Sequence, residues 1–432
     1  MTVERFSPEG SGRPAVGADE FMAIAALWGF DALTLAAIDR CVGQRTWAES
    51  PRLGRYQDPG HSRVAEFERV AAEALGSSYA LALHSGTSAL ETALVATGVG
   101  PGDEVILPTF TFMATALAVV NVGAVPVLGR IDESLTLDPN EIEKRAMART
   151  KAVIVVHPFG VPADMARVLD HAERRDLVVI EDAAQALGGA FGNKRVGTLG
   201  HIGCFSVSSY KRFGIGEAGL LVTDDAAVFE RAMAYHDGAG GWLRASRGCR
   251  RPRDVPFCGT NLRLSELEGA ANVVQIRKLD ARLARFRANK RELASSIELP
   301  AHATLQPVHD ERGDAAHALG ITLRNGDVAR TVRHLLSERR VPFLDLDEGS
   351  EAEWHTAASW EPVLRKSSAS GRCSWRCPRY DGATEPADRE VLDAGRELVA
   401  RTVFVCVEEG WTIRDCRSVA DFVERGLAAV AK

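Results

Sequence analysis

Residues 177–189 read LVVIEDAAQALGG, a hydrophobic run that ends in a carboxylate. Leu177 to Ile180 is rich in β-branched residues and hydrophobic without alternation, and Val153 to Val156 has the same texture. Such strands are buried on both faces, as in a parallel sheet covered by helices. Residues 164–174, between them, have helical spacing. Working outward, Val64 to Leu75 predicts a helix stopped by Gly76, and Tyr79 to His84 a short strand with a helix over 89–96 after it. Glu104 to Leu107 predicts a strand, 114–122 a helix and Val125 to Leu128 another strand, and Asp138-Pro139-Asn140-Glu141 resembles a helix start. The repeated order predicts an open α/β sheet, whose ligands gather at the carboxyl ends of the strands. Asp182 falls just past one such end.

The 432 residues are 46% hydrophobic and 25% charged, the proportions of an ordinary soluble globular protein. At roughly 150 residues per domain, two or three domains are expected. We divide the chain into a tail over 1–19, a large α/β domain over 20–256 and a smaller C-terminal α+β domain over 257–432. The 52 basic and 58 acidic residues leave a net charge of −6, without the basic excess that nucleic acid demands. Apolar runs such as Met22 to Phe30 fall short of the ~18 residues of a membrane span. The N-terminal MTVERFSPEGSGRPAVGADE has early charge and no apolar signal core. A cytoplasmic protein with no membrane or nucleic-acid partner is expected. Eight cysteines are scattered. Cys373 and Cys377 lack a second pair or a nearby histidine, so reduced thiols are expected and no metal.

Three segments carry chemistry. In the first, Asp182 is costly at the end of a buried strand unless partnered, although a helix cap is the alternative reading. In the second, GCFSVSSYKRFGIGEAG over 203–219, Lys211 follows an apolar strand among hydroxyls and glycines. A desolvated amine has a lowered pKa and attacks aldehydes; the alternative is a surface lysine on a turn. In the third, ALHSGTSAL over 82–90, a small-residue turn opens a helix and exposes backbone N–H groups suited to a phosphate. Together they ask for a ligand with a phosphate, an aldehyde and a basic ring nitrogen, which pyridoxal 5′-phosphate combines.

The sequence resembles the DegT/DnrJ/EryC1/StrS family of sugar and cyclitol aminotransferases. The resemblance rests on FERVAAEALG, HSGTSALETAL, GPGDEVILPTFTFMATA, HPFGVPADM, VIEDAAQALG, the Ser206-to-Lys211 spacing, GEAG and NLRLSELEGA, from about Val64 to Ala271. It implies the pyridoxal-phosphate fold type I, with a large, mostly parallel α/β domain. It implies that Lys211 is the Schiff-base lysine and proton shuttle, that Asp182 pairs with the ring nitrogen, and that Gln185 lies near the ring hydroxyl. Gly86, Thr87 and Ser206 would hold the phosphate, and Phe112 would stack on the ring, with Phe110 a competitor. Asn261 would reach the phosphate bound by the other subunit, which requires a homodimer with shared active sites. Plainer readings stand beside these: Gln185 as a helix cap, Phe112 as core, Asn261 as a turn residue. For His157 a structural role is favoured over acid–base work, and for the basic stretch 244–253 a solvated loop over a diphosphate contact.

The sequence also departs from the family pattern. Gly216-Glu217-Ala218-Gly219 stands where members read Gly-Glu-Gly-Gly, Leu187 replaces a common histidine, and the C-terminal His-Tyr and Pro-Leu-His pattern is not recognisable. The implied function is transfer of an amino group from glutamate or glutamine to a keto sugar or keto cyclitol, in aminosugar or secondary-metabolite biosynthesis. The other readings are a dehydratase-like relative, against which Lys211 argues because that branch carries histidine there, and a cofactor- or sugar-binding regulatory protein.

Overall fold

The computed structural model describes residues 17–43, 61–238, 257–346, 350, 353–369, 374–380 and 389–430. The basic stretch 244–253, Cys249, Cys373 and residues 1–16 lie outside them. The large sheet contains β1 (Tyr79–Leu83), β2 (Glu104–Pro108), β3 (Val125–Gly129), β4 (Thr150–Val156), β5 (Val178–Asp182), β8 (Ile202–Ser206) and β9 (Gly219–Thr223), in the order β1-β9-β8-β5-β4-β2-β3. Only β9 runs against the others. Its strands are nearly all buried, as their unbroken hydrophobicity predicts. Leu81, Leu107, Ile154 and Ile180 face one apolar layer, and Ile106, Val153, Val155 and Val179 face another. A hairpin of β6 (Ala190–Phe191) and β7 (Lys194–Arg195) follows β5.

The second sheet is antiparallel, in the order β10-β11-β13-β12, from β10 (Ala303–Leu305), β11 (Ala318–Leu323), β12 (Phe343–Leu344) and β13 (Thr402–Cys406). Helices Gly326–Glu338, Arg389–Ala400 and Ile413–Ala429 accompany it. The fold thus joins a mostly parallel α/β sheet to a smaller α+β part, as expected.

Element boundaries differ from expectation where capping decides them. Ala18–Ala26 is helical, so Ala18 and Asp19 belong to a helix rather than to the tail expected over 1–19. The helix expected over 89–96 begins at Gly86, because Ser85 caps it: its Oγ accepts from the Ser88 N–H at 3.1 Å. The long pattern from Leu264 is two helices, Glu266–Arg277 and Leu279–Ser295, divided at Lys278. The buried Glu266 carboxylate accepts from the Ser62 hydroxyl at 2.7 Å and from the Arg63 and Val64 N–H groups at 2.5 and 3.2 Å. It thereby closes the N-terminus of helix Arg63–Leu75, and charge at that end also suits the helix dipole. Gly76 ends that helix at φ +75°, a conformation that favours glycine.

Candidate active site

The carboxyl ends of β5 and β8 converge. Asp182 is the last residue of β5, in register with Val156 of β4 and Cys204 of β8. Beyond β8 the chain folds back on itself: Val207 donates to the Ala218 carbonyl at 2.8 Å and Ser209 to that of Gly216 at 2.9 Å. Lys211 lies within this loop, its N–H donating to the Ser208 carbonyl at 3.0 Å. Burial pushes its amine pKa down, and the negative charge of Asp182 opposes that shift. The amine has no hydrogen-bond or ion-pair partner among the described residues.

Asp182 is 5% exposed. Its Oδ2 accepts from the Thr115 hydroxyl at 2.7 Å and its Oδ1 from the Ala184 N–H at 3.2 Å. Burial raises its pKa above the ordinary value, and the two hydrogen bonds and the positive charge of Lys211 act the other way. A carboxyl in this state gains from a cation placed opposite it.

The N-terminus of helix Gly86–Ala96 faces the end of β8. The amides of Gly86 and Thr87, unlike that of Ser88, have no acceptor among the described residues. A Cβ at Gly86 would sit 2.9 Å from the Ser206 Cβ, so this close approach requires glycine. Two free amides at the positive end of a helix dipole, beside the Thr87 and Ser206 hydroxyls, form an anion cradle.

Phe112 is 45% exposed, whereas Phe110 is 1% exposed and packs against Phe404 and Phe159. Phe110 is therefore committed to the core, and Phe112 keeps a ring face open. The Gln185 Oε1 accepts from the Phe159 N–H at 2.9 Å, and its Nε2 lies 3.2 Å from His355 Nε2. Gln185 is thus no simple helix cap. Phe159 holds φ at +50°, strained for an aromatic residue and sustained by that hydrogen bond and its ring contacts.

Asn261 lies in a segment that runs beside the end of β1, where the His84 N–H donates to the Leu262 carbonyl at 3.0 Å. It is exposed, bridges to Asp237, and its Oδ1 accepts from the Arg263 N–H at 3.4 Å. His157 is fully buried: Nδ1 accepts from the Ala163 N–H at 3.0 Å, and Nε2 donates to Glu181 at 3.1 Å. Glu181 also accepts from the Gly197, Leu199 and Gly200 amides, so His157 is structural. Leu187 is buried apolar core. Within GEAG, Gly216 needs its φ of +69°, and a Cβ at Gly219 would lie 2.0 Å from the Ser85 carbonyl oxygen; Ala218 has ordinary backbone and its methyl is accommodated.

Four residues of this region were not foreseen from the sequence. Thr115 and His355 touch Asp182 and Gln185. Arg212, beside Lys211, pairs with Glu408 at 2.7 Å, tying the lysine loop to the segment after β13. His317, just before β11, faces the Gln185 carbonyl across 3.0 Å through Nδ1, and burial pushes its pKa down to about 3. None of the four carried a clear sequence signal: Thr115 lies in the helix that opens at Ala114, and its partner Thr111 precedes that helix.

The residues present fit pyridoxal phosphate. The unpartnered, half-buried amine suits its aldehyde, the carboxylate with raised proton affinity its ring nitrogen, the free amides its phosphate, and the open Phe112 ring its heterocycle.

Comparison with known proteins agrees. Residues 47–344 match the profile of the DegT/DnrJ/EryC1/StrS aminotransferase family. The chain is 37% identical over 397 residues to the L-glutamine:2-deoxy-scyllo-inosose aminotransferase of Streptomyces kanamyceticus, covering 86% of this chain and 85% of that protein. It is 36% identical over 244 residues to the GDP-perosamine synthase of Caulobacter vibrioides, covering 55% of this chain and 60% of that protein. Among solved structures, 3-amino-5-hydroxybenzoic acid synthase superposes with a TM-score of 0.71 at 23% identity, over 89% of this chain and 98% of the other. An aminotransferase from Brucella abortus gives 0.69 at 23% identity, over 88% and 94%. The shared fold is pyridoxal-phosphate fold type I.

Proposed function

Because the chain belongs to the DegT/DnrJ/EryC1/StrS aminotransferase family, we propose that it is a pyridoxal-phosphate-dependent transaminase that moves an amino group from glutamate or glutamine to a keto sugar or keto cyclitol. The observation that carries this reading is the pair formed by the Lys211 amine and the Asp182 carboxylate at one sheet edge, each with its proton affinity displaced by burial. The acceptor class draws on similarity to the inosose aminotransferase and the perosamine synthase.

Pyridoxal phosphate, when bound, supplies an aldehyde that condenses with amines and a ring that takes up the electron pair released at the neighbouring carbon. The rest falls to the chain's own side chains. Lys211, its ammonium form disfavoured by burial, is a nucleophile at one stage and a base at the next, taking a proton from the donor's α-carbon and returning it. Asp182 holds a proton at the ring nitrogen. The Gly86 and Thr87 amides and the Thr87 and Ser206 hydroxyls would hold the phosphate, Phe112 would cover the ring, and Gln185 would serve its hydroxyl.

The proposal includes a homodimer in which Asn261 reaches the phosphate site of a second copy. Its exposure supports that role. A cytoplasmic setting is included too, supported by the unpaired thiols of Cys204, Cys377, Cys406 and Cys416. No helix among the described residues is long and apolar enough to cross a membrane.

The test is spectroscopic. Protein loaded with pyridoxal phosphate should absorb in the visible, and L-glutamine or L-glutamate should bleach that band as the pyridoxamine form accumulates. A stable band that neither donor bleaches would contradict transamination.

A further inference from the structure

The buried hydroxyls behind Asp182 form a chain. Thr115 Oγ1 lies 2.7 Å from Asp182 Oδ2, and Thr111 Oγ1 lies 2.8 Å from Thr115 Oγ1. Both threonines are buried. Thr115 Oγ1 also lies 3.2 Å from the Phe112 carbonyl, a second acceptor for its one hydrogen. A hydroxyl has one proton to give and two lone pairs, so the chain has two settings. Facing a carboxylate, Thr115 donates to Oδ2 and accepts from Thr111. Facing a protonated Asp182, it accepts that proton's hydrogen bond and turns its own hydrogen to the Phe112 carbonyl. The backbone holding the chain is fixed from outside: Thr111 and Met113 donate to the His355 and Trp354 carbonyls at 2.9 and 3.0 Å.

We infer that Thr115, backed by Thr111, is a positioning residue for Asp182, fixing the carboxylate's orientation and setting how strongly it holds a proton. The part played toward the cofactor rests on the transaminase reading. Asp182 also faces Lys211, His157 and Cys204, none of which bonds directly to its carboxylate oxygens. Thr115 and the Ala184 amide do. Without the hydroxyl, Asp182 becomes more basic and leaves less positive charge in a ring paired with it.

The test compares Thr115→Val, which keeps the shape and loses the hydroxyl, with Thr115→Ser, which keeps the hydroxyl and loses a methyl. In the loaded full-length protein, Thr115→Val should move the pH midpoint of the visible band upward by about one unit, as expected for one hydrogen bond to a charged group. It should lower kcat about tenfold or more with KM little changed, because Thr115 acts through Asp182. Thr115→Ser should restore both. A packing role gives the reverse order, with valine the milder change. Wild-type behaviour of Thr115→Val, or equal displacement by both variants, would overturn the inference. Should Thr115→Val fail to fold, Thr111→Val should show a smaller displacement in the same direction, and no displacement there would overturn it equally.

A cofactor-free measurement separates this inference from the transaminase reading. The stability-versus-pH contribution of Asp182, taken as the difference from Asp182→Asn in each background, should shift upward in pH with Thr115→Val and not with Thr115→Ser. That shift in a protein showing no visible band would leave the hydroxyl chain standing and remove the cofactor reading.

Discussion

The side-chain nitrogen of Gln185 lies 3.2 Å from Nε2 of His355, so a residue just past β5 grips a short turn that reaches it from the small part of the chain. The same turn places His355 against Phe112 and Phe159, with ring centroids 5.4 and 5.8 Å apart. The mouth of the site is therefore walled by residues from both sheets' surroundings. His355→Ala should raise the KM for the keto acceptor severalfold and leave the bleaching of the loaded protein by amino donor largely intact. Steady-state kinetics with varied acceptor would check this, and an unchanged acceptor KM would remove His355 from the wall.

Gly86 is the second test. A methyl there meets the Ser206 Cβ at 2.9 Å, and overpacking of this kind costs about 1–3 kcal/mol. Gly86→Ala should push the helix N-terminus off β8, and cofactor retention on dialysis should fall by about tenfold or more while the fold persists. Retention equal to wild type would mean the phosphate is held elsewhere.

The Asp182 carboxyl yields a prediction with a definite sign. Burial raises its pKa in the folded, cofactor-free protein, so folding favours the protonated form. The stability it contributes is present below the unfolded value near 3.9 and is lost as pH rises through the folded value. Relative to Asp182→Asn, the cofactor-free wild type should therefore lose stability as pH climbs out of the acid range. Saturation with pyridoxal phosphate should reverse the trend by placing a cation opposite the carboxylate. Denaturant melts across that range are the measurement, and a flat difference would show that Asp182 is not desolvated.

His317 has the opposite sign. Its imidazole is held neutral, with a pKa of about 3, so stability present above the unfolded value near 6.5 is lost as pH falls toward 3. One such group contributes a slope of at most about 1.4 kcal/mol per pH unit. His317→Asn should flatten the acid limb between those limits, whatever it does to absolute stability. An unchanged slope would assign the acid sensitivity to other groups.

Asp182 and Lys211 stand out in the sequence only jointly, since a helix cap and a surface lysine are open readings for each alone and the conjunction of three segments with the family resemblance singles them out. Gly86 and Thr87 are singled out by the resemblance, since small residues opening a helix are by themselves a common loop. Thr115 and His355 are not, since their partners lie 67 and 170 positions away. Hydroxyls and lone histidines acquire meaning only from what folding brings beside them. The break at Lys278 is hidden because a helix can change direction without any residue that forbids helix. The GEAG departure becomes interpretable only once backbone angles assign the glycine requirement to 216 and 219 and not to 218.

The role of Lys211 is open to one direct measurement. Protein loaded with pyridoxal phosphate is reduced with borohydride, digested, and the modified peptide sequenced by mass spectrometry. The expected result is one phosphopyridoxyl group, on the ε-amine of Lys211 and lost in Lys211→Ala. The group on any other lysine, or on none, would contradict the assignment.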